Sequence, residues 1–178
     1  MVPAPPHPAL PRLTLVLGGA RSGKSRHAEA LVTALPPPWT YVATAQAFDA
    51  EMTDRIAQHK ARRAEGWQTL ETAHDLAGLV RASGESGVPM LIDCLTLWLS
   101  NVMLADMNVA ARSAELIDAL RNAHGPIVAV SNEVGLGIVP DNALARAFRD
   151  AQGRLNQDVA ALADRVILMA AGLPLTLK

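Results

Sequence analysis

The stretch Gly18-Gly-Ala-Arg-Ser-Gly-Lys-Ser25 follows directly on the apolar run Leu13-Thr-Leu-Val-Leu17 and leads directly into an amphipathic segment. This order, strand then G-x-x-x-x-G-K-S then helix, is the context a phosphate-cradling P-loop requires. Its glycines let backbone N–H groups turn inward around phosphates, Lys24 reaches their outer oxygens, and the Ser25 hydroxyl can ligate Mg²⁺. Gly18, Gly19, Ala20, Arg21, Ser22, Gly23, Lys24 and Ser25 are therefore the expected phosphate site. The competing reading, a glycine-rich turn without a ligand, leaves the register of Gly18, Gly23, Lys24 and Ser25 without a purpose.

A P-loop fixes the kind of fold around it. Apolar runs and amphipathic stretches alternate along the chain, as they do when helices cover both faces of a mostly parallel sheet in an α/β protein. Strands are expected at Leu13–Leu17, Thr40–Thr44, Met90–Asp93, Ile127–Ser131, Val166–Met169 and Leu175–Leu177. Helices are expected at Lys24–Ala34, Asp49–Arg63, His74–Ala82, Leu95–Leu104, Ala110–Ala123 and Asn142–Ala163. Pro36-Pro37-Pro38 and Gly84–Pro89 read as connections. With 178 residues, half of them apolar, a single domain over residues 13–178 can bury one core. Residues 1–12, broken by Pro3, Pro5, Pro6, Pro8 and Pro11, read as a mobile tail and not as the apolar helix of a signal peptide.

Composition narrows the partners. A formal net charge of -1 gives no overall field for nucleic acid or anionic lipid, so anion binding must be local. Cys94 is the single cysteine, which excludes an intrachain disulfide and suits the cytoplasm. No apolar run is long enough to span a bilayer, because Asp93 and Thr96 interrupt the longest one.

Met90-Leu-Ile-Asp93 places a carboxylate at the end of a buried strand, where a P-loop protein needs an acid to hold Mg²⁺ through water. Asp93 is also placed to cap the helix that follows, and both roles stay open at this point. The sequence around Asp93 and Asn132 lacks the D-x-x-G and N-K-x-D elements of a Ras-type switch, and a chain this compact has little room for the coupling elements of a motor or transporter. A small-molecule transferase remains.

In Asp49–Arg63, Met52, Ile56, His59 and Arg63 share one helical stripe, with Arg55 and Arg62 on its flank. The basic residues could simply answer the helix dipole, and His59 could simply be structural. Neighbouring cations, however, disfavour a protonated imidazole and would hold a triphosphate beside it, and neutral imidazole is a nucleophile.

The sequence resembles the adenosylcobinamide kinase/adenosylcobinamide-phosphate guanylyltransferases of cobalamin biosynthesis. The resemblance runs from about Leu13 to Lys178, through GGARSGKSRHAE at Gly18–Glu29, YVATAQ at Tyr41–Gln46, D-x-E-M-x-x-R-I-x-x-H-K-x-R-R at Asp49–Arg63, W-x-T-x-E at Trp67–Glu71 and SNEVGLGIVPDNALARAFRDAQGRLNQ at Ser131–Gln157. It implies a RecA-like P-loop NTPase fold with three layers and a homotrimer. It further implies a first reaction that phosphorylates adenosylcobinamide with ATP or GTP, and a second that moves GMP from GTP through a guanylylated His59. GTP contacts implied by the family fall on Gly18–Ser25, Thr44, Ala45, Gln46, Lys60, Ala61, Arg62, Arg63, Glu71 and Asp93. The Val130–Gly135 segment is open between a corrinoid contact and a structural turn. Two other readings compete: a plain P-loop kinase in which His59 only binds phosphate, and a regulatory ATPase acting on a protein. The proline-rich tail departs from the family, which usually begins close to its first strand.

Overall fold

The computed structural model describes residues 10–45, 65–84 and 86–178. Its strands are β1 (Leu13–Gly18), β2 (Trp39–Ala43), β3 (Trp67–Glu71), β4 (Met90–Asp93), β5 (Ile127–Asn132), β6 (Arg165–Ala170) and β7 (Leu173–Thr176). Its helices are α1 (Lys24–Thr33), α2 (Leu76–Gly84), α3 (Leu95–Leu104), α4 (Val109–Asn122) and α5 (Ala143–Leu162). The expected helix at Asp49–Arg63 lies outside the described residues.

The strands form one seven-stranded sheet in the order β3-β2-β4-β5-β1-β6-β7. Every neighbouring pair is parallel except β6–β7. Strands buried on both faces read as mostly apolar runs, and β1 and β5 do, with Thr14 and Ser131 as their buried polar exceptions. Alternate residues of β4 and β5 serve opposite layers. Met90, Ile92, Ile127 and Ala129 pack with α2, α3, α4 and α5, while Leu91, Val128 and Val130 pack with Ala28 and Val32 of α1. The result is three layers, with α1 beneath the strand that feeds the P-loop.

Side chains set several helix starts. Asn108 accepts from the Ala111 N–H and Asn142 from the Ala145 N–H, so α4 and α5 begin where an Asn cap supplies the acceptor that the first turn lacks. Asp75 does the same for α2 through Gly78 N–H at 3.0 Å, which moves its start beyond the expected His74. Asp93 caps nothing: the residue before α3 is Cys94.

Two edges differ from expectation. β3 is an additional strand, paired with β2 from Trp39↔Trp67 to Ala43↔Glu71, and was not expected because all but Trp67 are exposed. β7 begins at Leu173, earlier than expected, with Pro174 tolerated on an edge strand. The expected tail also ends sooner. Leu10 packs against the α1-side core, and the Arg12 guanidinium donates to the Leu120 carbonyl at 2.8 Å. Among the described residues no helix is long and apolar enough to cross a membrane.

Candidate active site

Parallel strands deliver their C-terminal ends to one edge, where α/β proteins bind ligands. Here that edge carries the loop after β1, Asp93 at the end of β4 and Asn132 at the end of β5, with β5 lying between the other two.

The loop after β1 is tight. A Cβ on Gly18 would lie 2.5 Å from Ser22 Oγ and 2.8 Å from the Met169 carbonyl oxygen, and the second of these is backbone that cannot swing away. Gly23 caps α1 with φ 93°, a left-handed conformation that glycine adopts without penalty. Outside the loop, the β6–β7 turn is pinned to it by the Gly172 N–H, which donates to Ser22 O at 3.0 Å. Gly18→Ala is therefore expected to overpack the loop by about 1–3 kcal/mol, lowering Tm by several degrees and weakening nucleotide binding. Thermal unfolding with a nucleotide titration checks this, and wild-type values in both would show that the cradle has slack.

Lys24 is 9% exposed, and its ammonium donates to the Gly19 carbonyl at 2.8 Å, spanning the loop from helix to entry. Burial pushes its pKa below the ordinary lysine value, and Cys94 and the Asp93 carboxylate oppose that push. Ser22 presents a buried hydroxyl oxygen without a hydrogen-bond partner among the described residues.

The Tyr41 hydroxyl donates to Asp93 Oδ2 at 3.0 Å, which fixes the carboxylate's orientation. Tyr41 is the chain's only tyrosine, and Trp67 packs edge-on against its ring at a centroid distance of 5.9 Å. Thr44 is fully buried: its hydroxyl donates to Cys94 O at 2.7 Å and accepts from Cys94 N–H at 2.9 Å. Its own carbonyl accepts from Asn101 at 2.8 Å. Thr44 thus acts on the edge through the peptide that follows Asp93. The Cys94 thiol is pushed up to about 12, first by burial and then by Asp93, so it stays protonated and is no nucleophile at neutral pH.

Other expected contacts are more scattered. Ala45 follows Thr44 at the β2 end of the edge. Glu71 ends β3, four strand spacings from β1, or about 19 Å at roughly 4.8 Å per strand. Gln46, His59, Lys60, Ala61, Arg62 and Arg63 lie outside the described residues.

Sequence reasoning passed over Tyr41 as the partner of Asp93, and over Gln152 and Asn156. These two are buried polar residues of α5 that bond to Ser131 at the end of β5. A signal existed. Both sit beside Leu155 and Val159 on the helix stripe that faces the core, where polar residues are unexpected.

Residues 14–177 match the family described as "Cobinamide kinase / cobinamide phosphate guanyltransferase". The "Bifunctional adenosylcobalamin biosynthesis protein CobP" of Pseudomonas aeruginosa is 47% identical over 166 residues, covering 92% of this chain and 96% of that protein. The "Bifunctional adenosylcobalamin biosynthesis protein CobU" of Salmonella typhimurium is 41% identical over 181 residues, covering 93% of this chain and 99% of that protein. Among solved structures, a prototypical ATPase from the type III secretion system of pathogenic bacteria superposes with a TM-score of 0.55 at 13% identity. That match covers 92% of this chain and 56% of the other, and it speaks for the fold alone. On the breadth of the family match and the identity to two full-length relatives, this chain belongs to the cobinamide kinase/cobinamide phosphate guanyltransferase family.

Proposed function

We propose that this protein catalyses both reactions named in its family's description. In the first, the terminal hydroxyl of adenosylcobinamide attacks the γ-phosphorus of ATP or GTP, the bond to the β-phosphate oxygen breaks, and adenosylcobinamide phosphate and the nucleoside diphosphate leave. In the second, a ring nitrogen of His59 attacks the α-phosphorus of GTP and releases pyrophosphate. The corrinoid phosphate then takes GMP from the histidine to give adenosylcobinamide-GDP. Splitting the transfer through a histidine replaces one difficult displacement with two easier ones.

The observation that carries this reading is the convergence of the P-loop and Asp93 on one edge of the sheet, with the Asp93 carboxylate close enough to Lys24 to oppose the lowering of the lysine's pKa by burial. Phosphoryl transfer demands positioning and charge stabilisation, and a P-loop with a buried lysine is suited to supply both. Gly18–Ser25 would hold the phosphates and Lys24 would move from the Gly19 carbonyl to their oxygens. Glu71, far along the edge, would face the ribose or base. Thr44, Ala45 and Gln46, with Lys60 through Arg63, would line the span between.

The residues present fit Mg²⁺. Ser25 and Asp93 offer hard oxygen donors, and among the described residues no trio of His, Cys, Asp or Glu forms an all-protein metal cage. Mg²⁺ is ordinarily held in this way, by one or two side chains together with substrate phosphates and water. When bound it would neutralise charge developing between the β- and γ-phosphates. Asp93→Asn keeps shape and can still accept from Tyr41, so the fold should persist while the Mg²⁺ needed for half-maximal activity rises about tenfold, or about 1.4 kcal/mol. An unchanged Mg²⁺ titration would remove Asp93 from the metal site.

The same reading places the enzyme in the cytoplasm as a homotrimer, supported by the single cysteine and by family membership. Adenosylcobinamide incubated with GTP labelled at the γ- or the α-phosphorus tests the function. The γ-label should appear in the corrinoid phosphate and the α-label in adenosylcobinamide-GDP. Release of γ-label only as free phosphate would favour a regulatory ATPase.

A further inference from the structure

Asn132 ends β5 beside the start of the P-loop. Its Cα pairs with that of Gly18 in the parallel register, and the next N–H, of Glu133, donates to the Gly18 carbonyl at 3.1 Å. Side chains along a strand alternate between faces. Val128 and Val130 face the α1 layer while Ser131 faces α5 through its bonds to Gln152 and Asn156, so Asn132 faces the α1 layer. Leu91 of β4 also packs in that layer, and Asp93, two residues on, shares its face. Asn132 thus projects between the P-loop and the carboxylate, half-buried, with its amide unbonded among the described residues.

The backbone of Asn132 is held with unusual care. Its N–H donates to Thr96 Oγ1 at 2.7 Å, and its carbonyl accepts from Asn156 Nδ2 at 3.0 Å. Asn156 Oδ1 in turn accepts from Ser131 Oγ at 2.6 Å and from Gln152 Nε2 at 3.0 Å. Gln152 Nε2 also donates to Ser131 Oγ at 2.9 Å. Thr96, Ser131, Gln152 and Asn156 are all buried, and Gln152 Oε1 has no partner among the described residues. Stability alone would favour apolar residues here, because a buried polar network left partly unsatisfied is worse than an oily one. What the network supplies is position.

We infer that Asn132 donates a hydrogen bond from its amide to the terminal phosphate of a nucleoside triphosphate in the P-loop, and that Thr96, Ser131, Gln152 and Asn156 are positioning residues that hold it there. An amide that reaches only the terminal phosphate adds affinity for a triphosphate and none for the diphosphate product. The inference rests on the P-loop holding a triphosphate, as proposed above, and not on what the phosphate is transferred to.

The test compares affinities for GDP and for guanosine 5′-(β,γ-imido)triphosphate, measured by calorimetry with Mg²⁺ present. Asn132→Ala removes a half-exposed amide and should fold. It should weaken the triphosphate analogue roughly tenfold or more, as a hydrogen bond to a charged group would, and leave GDP unchanged. In the kinase assay it should lower kcat more than it raises KM for nucleotide. Thr96→Val, which keeps shape and removes the acceptor for the Asn132 N–H, should reproduce the loss of discrimination, and Thr96→Ser should restore it. Equal affinities in wild type and Asn132→Ala, or equal losses for both ligands, would overturn the role of Asn132. Discrimination that survives Thr96→Val would overturn the positioning frame. Should wild type bind both nucleotides and discriminate as described but phosphorylate no corrinoid, the proposed activity would fail while this inference stands.

Discussion

Lys24→Ala is expected to abolish kinase and guanylyl transfer together, each by on the order of a hundred- to a thousandfold, the range for removing one preorganised donor from developing charge. In the first reaction its ammonium faces charge gathering between the β- and γ-phosphates, and in the second it faces the departing pyrophosphate. The buried lysine spans the loop through its bond to the Gly19 carbonyl, so Ala at this position removes both the charge and that bond, and a matched unfolding midpoint is what shows that the backbone cradle persists. Separate steady-state assays of each half-reaction, on protein whose unfolding midpoint matches wild type, decide the point. The distance along the edge makes the test demanding. With Glu71 about 19 Å from β1, a nucleotide that used only the β2–β3 end would never meet Lys24, and guanylyl transfer would survive. Full transfer in the folded variant would sink the single-cradle idea.

His59→Ala is expected to divide the two activities that Lys24→Ala loses together. Guanylyl transfer should fall below detection, because neither Cys94 nor His27 is placed to replace it. Cys94 is buried and its thiol is held protonated. His27 sits half-buried on α1, and its Nε2 is enclosed by protein, out of reach of an attacked phosphorus. Phosphorylation of adenosylcobinamide should remain appreciable, since in-line attack on the γ-phosphorus needs no histidine. Assays of both half-reactions in His59→Ala, with His27→Ala and His74→Ala as controls, check this. Equal loss of both reactions in a folded His59→Ala protein would return His59 to phosphate binding, as a plain kinase would use it.

How much of this was legible in the sequence depended on burial. The central strands could be read because each is a mostly apolar run, and the P-loop and Asp93 because they follow or end such a run with chemically distinctive residues. β3 escaped because an edge strand with four exposed positions shows neither a buried run nor clean alternation. Its remaining signals were Trp67 and Thr69, both strand formers, and Gly66 before them at φ 108°. Helix ends moved by a residue or two, as Asp75, Asn108 and Asn142 took up their caps. The polar frame around Asn132 was hidden for a different reason: its members lie far apart in sequence, and only the packing of α5 over β5 brings them together. Tyr41 and Asp93 likewise meet only through the pairing of β2 with β4.

The most direct test of the two-reaction account is the covalent intermediate itself. Wild-type protein mixed with GTP labelled at the α-phosphorus, with no corrinoid, should keep label after denaturation. The linkage should break in acid and survive alkali as a phosphoramidate, peptide mapping should place it on His59, and adenosylcobinamide phosphate added before denaturation should remove it as adenosylcobinamide-GDP. Folded enzyme that makes adenosylcobinamide-GDP without retaining label, or that carries it on a residue other than His59, would contradict the account.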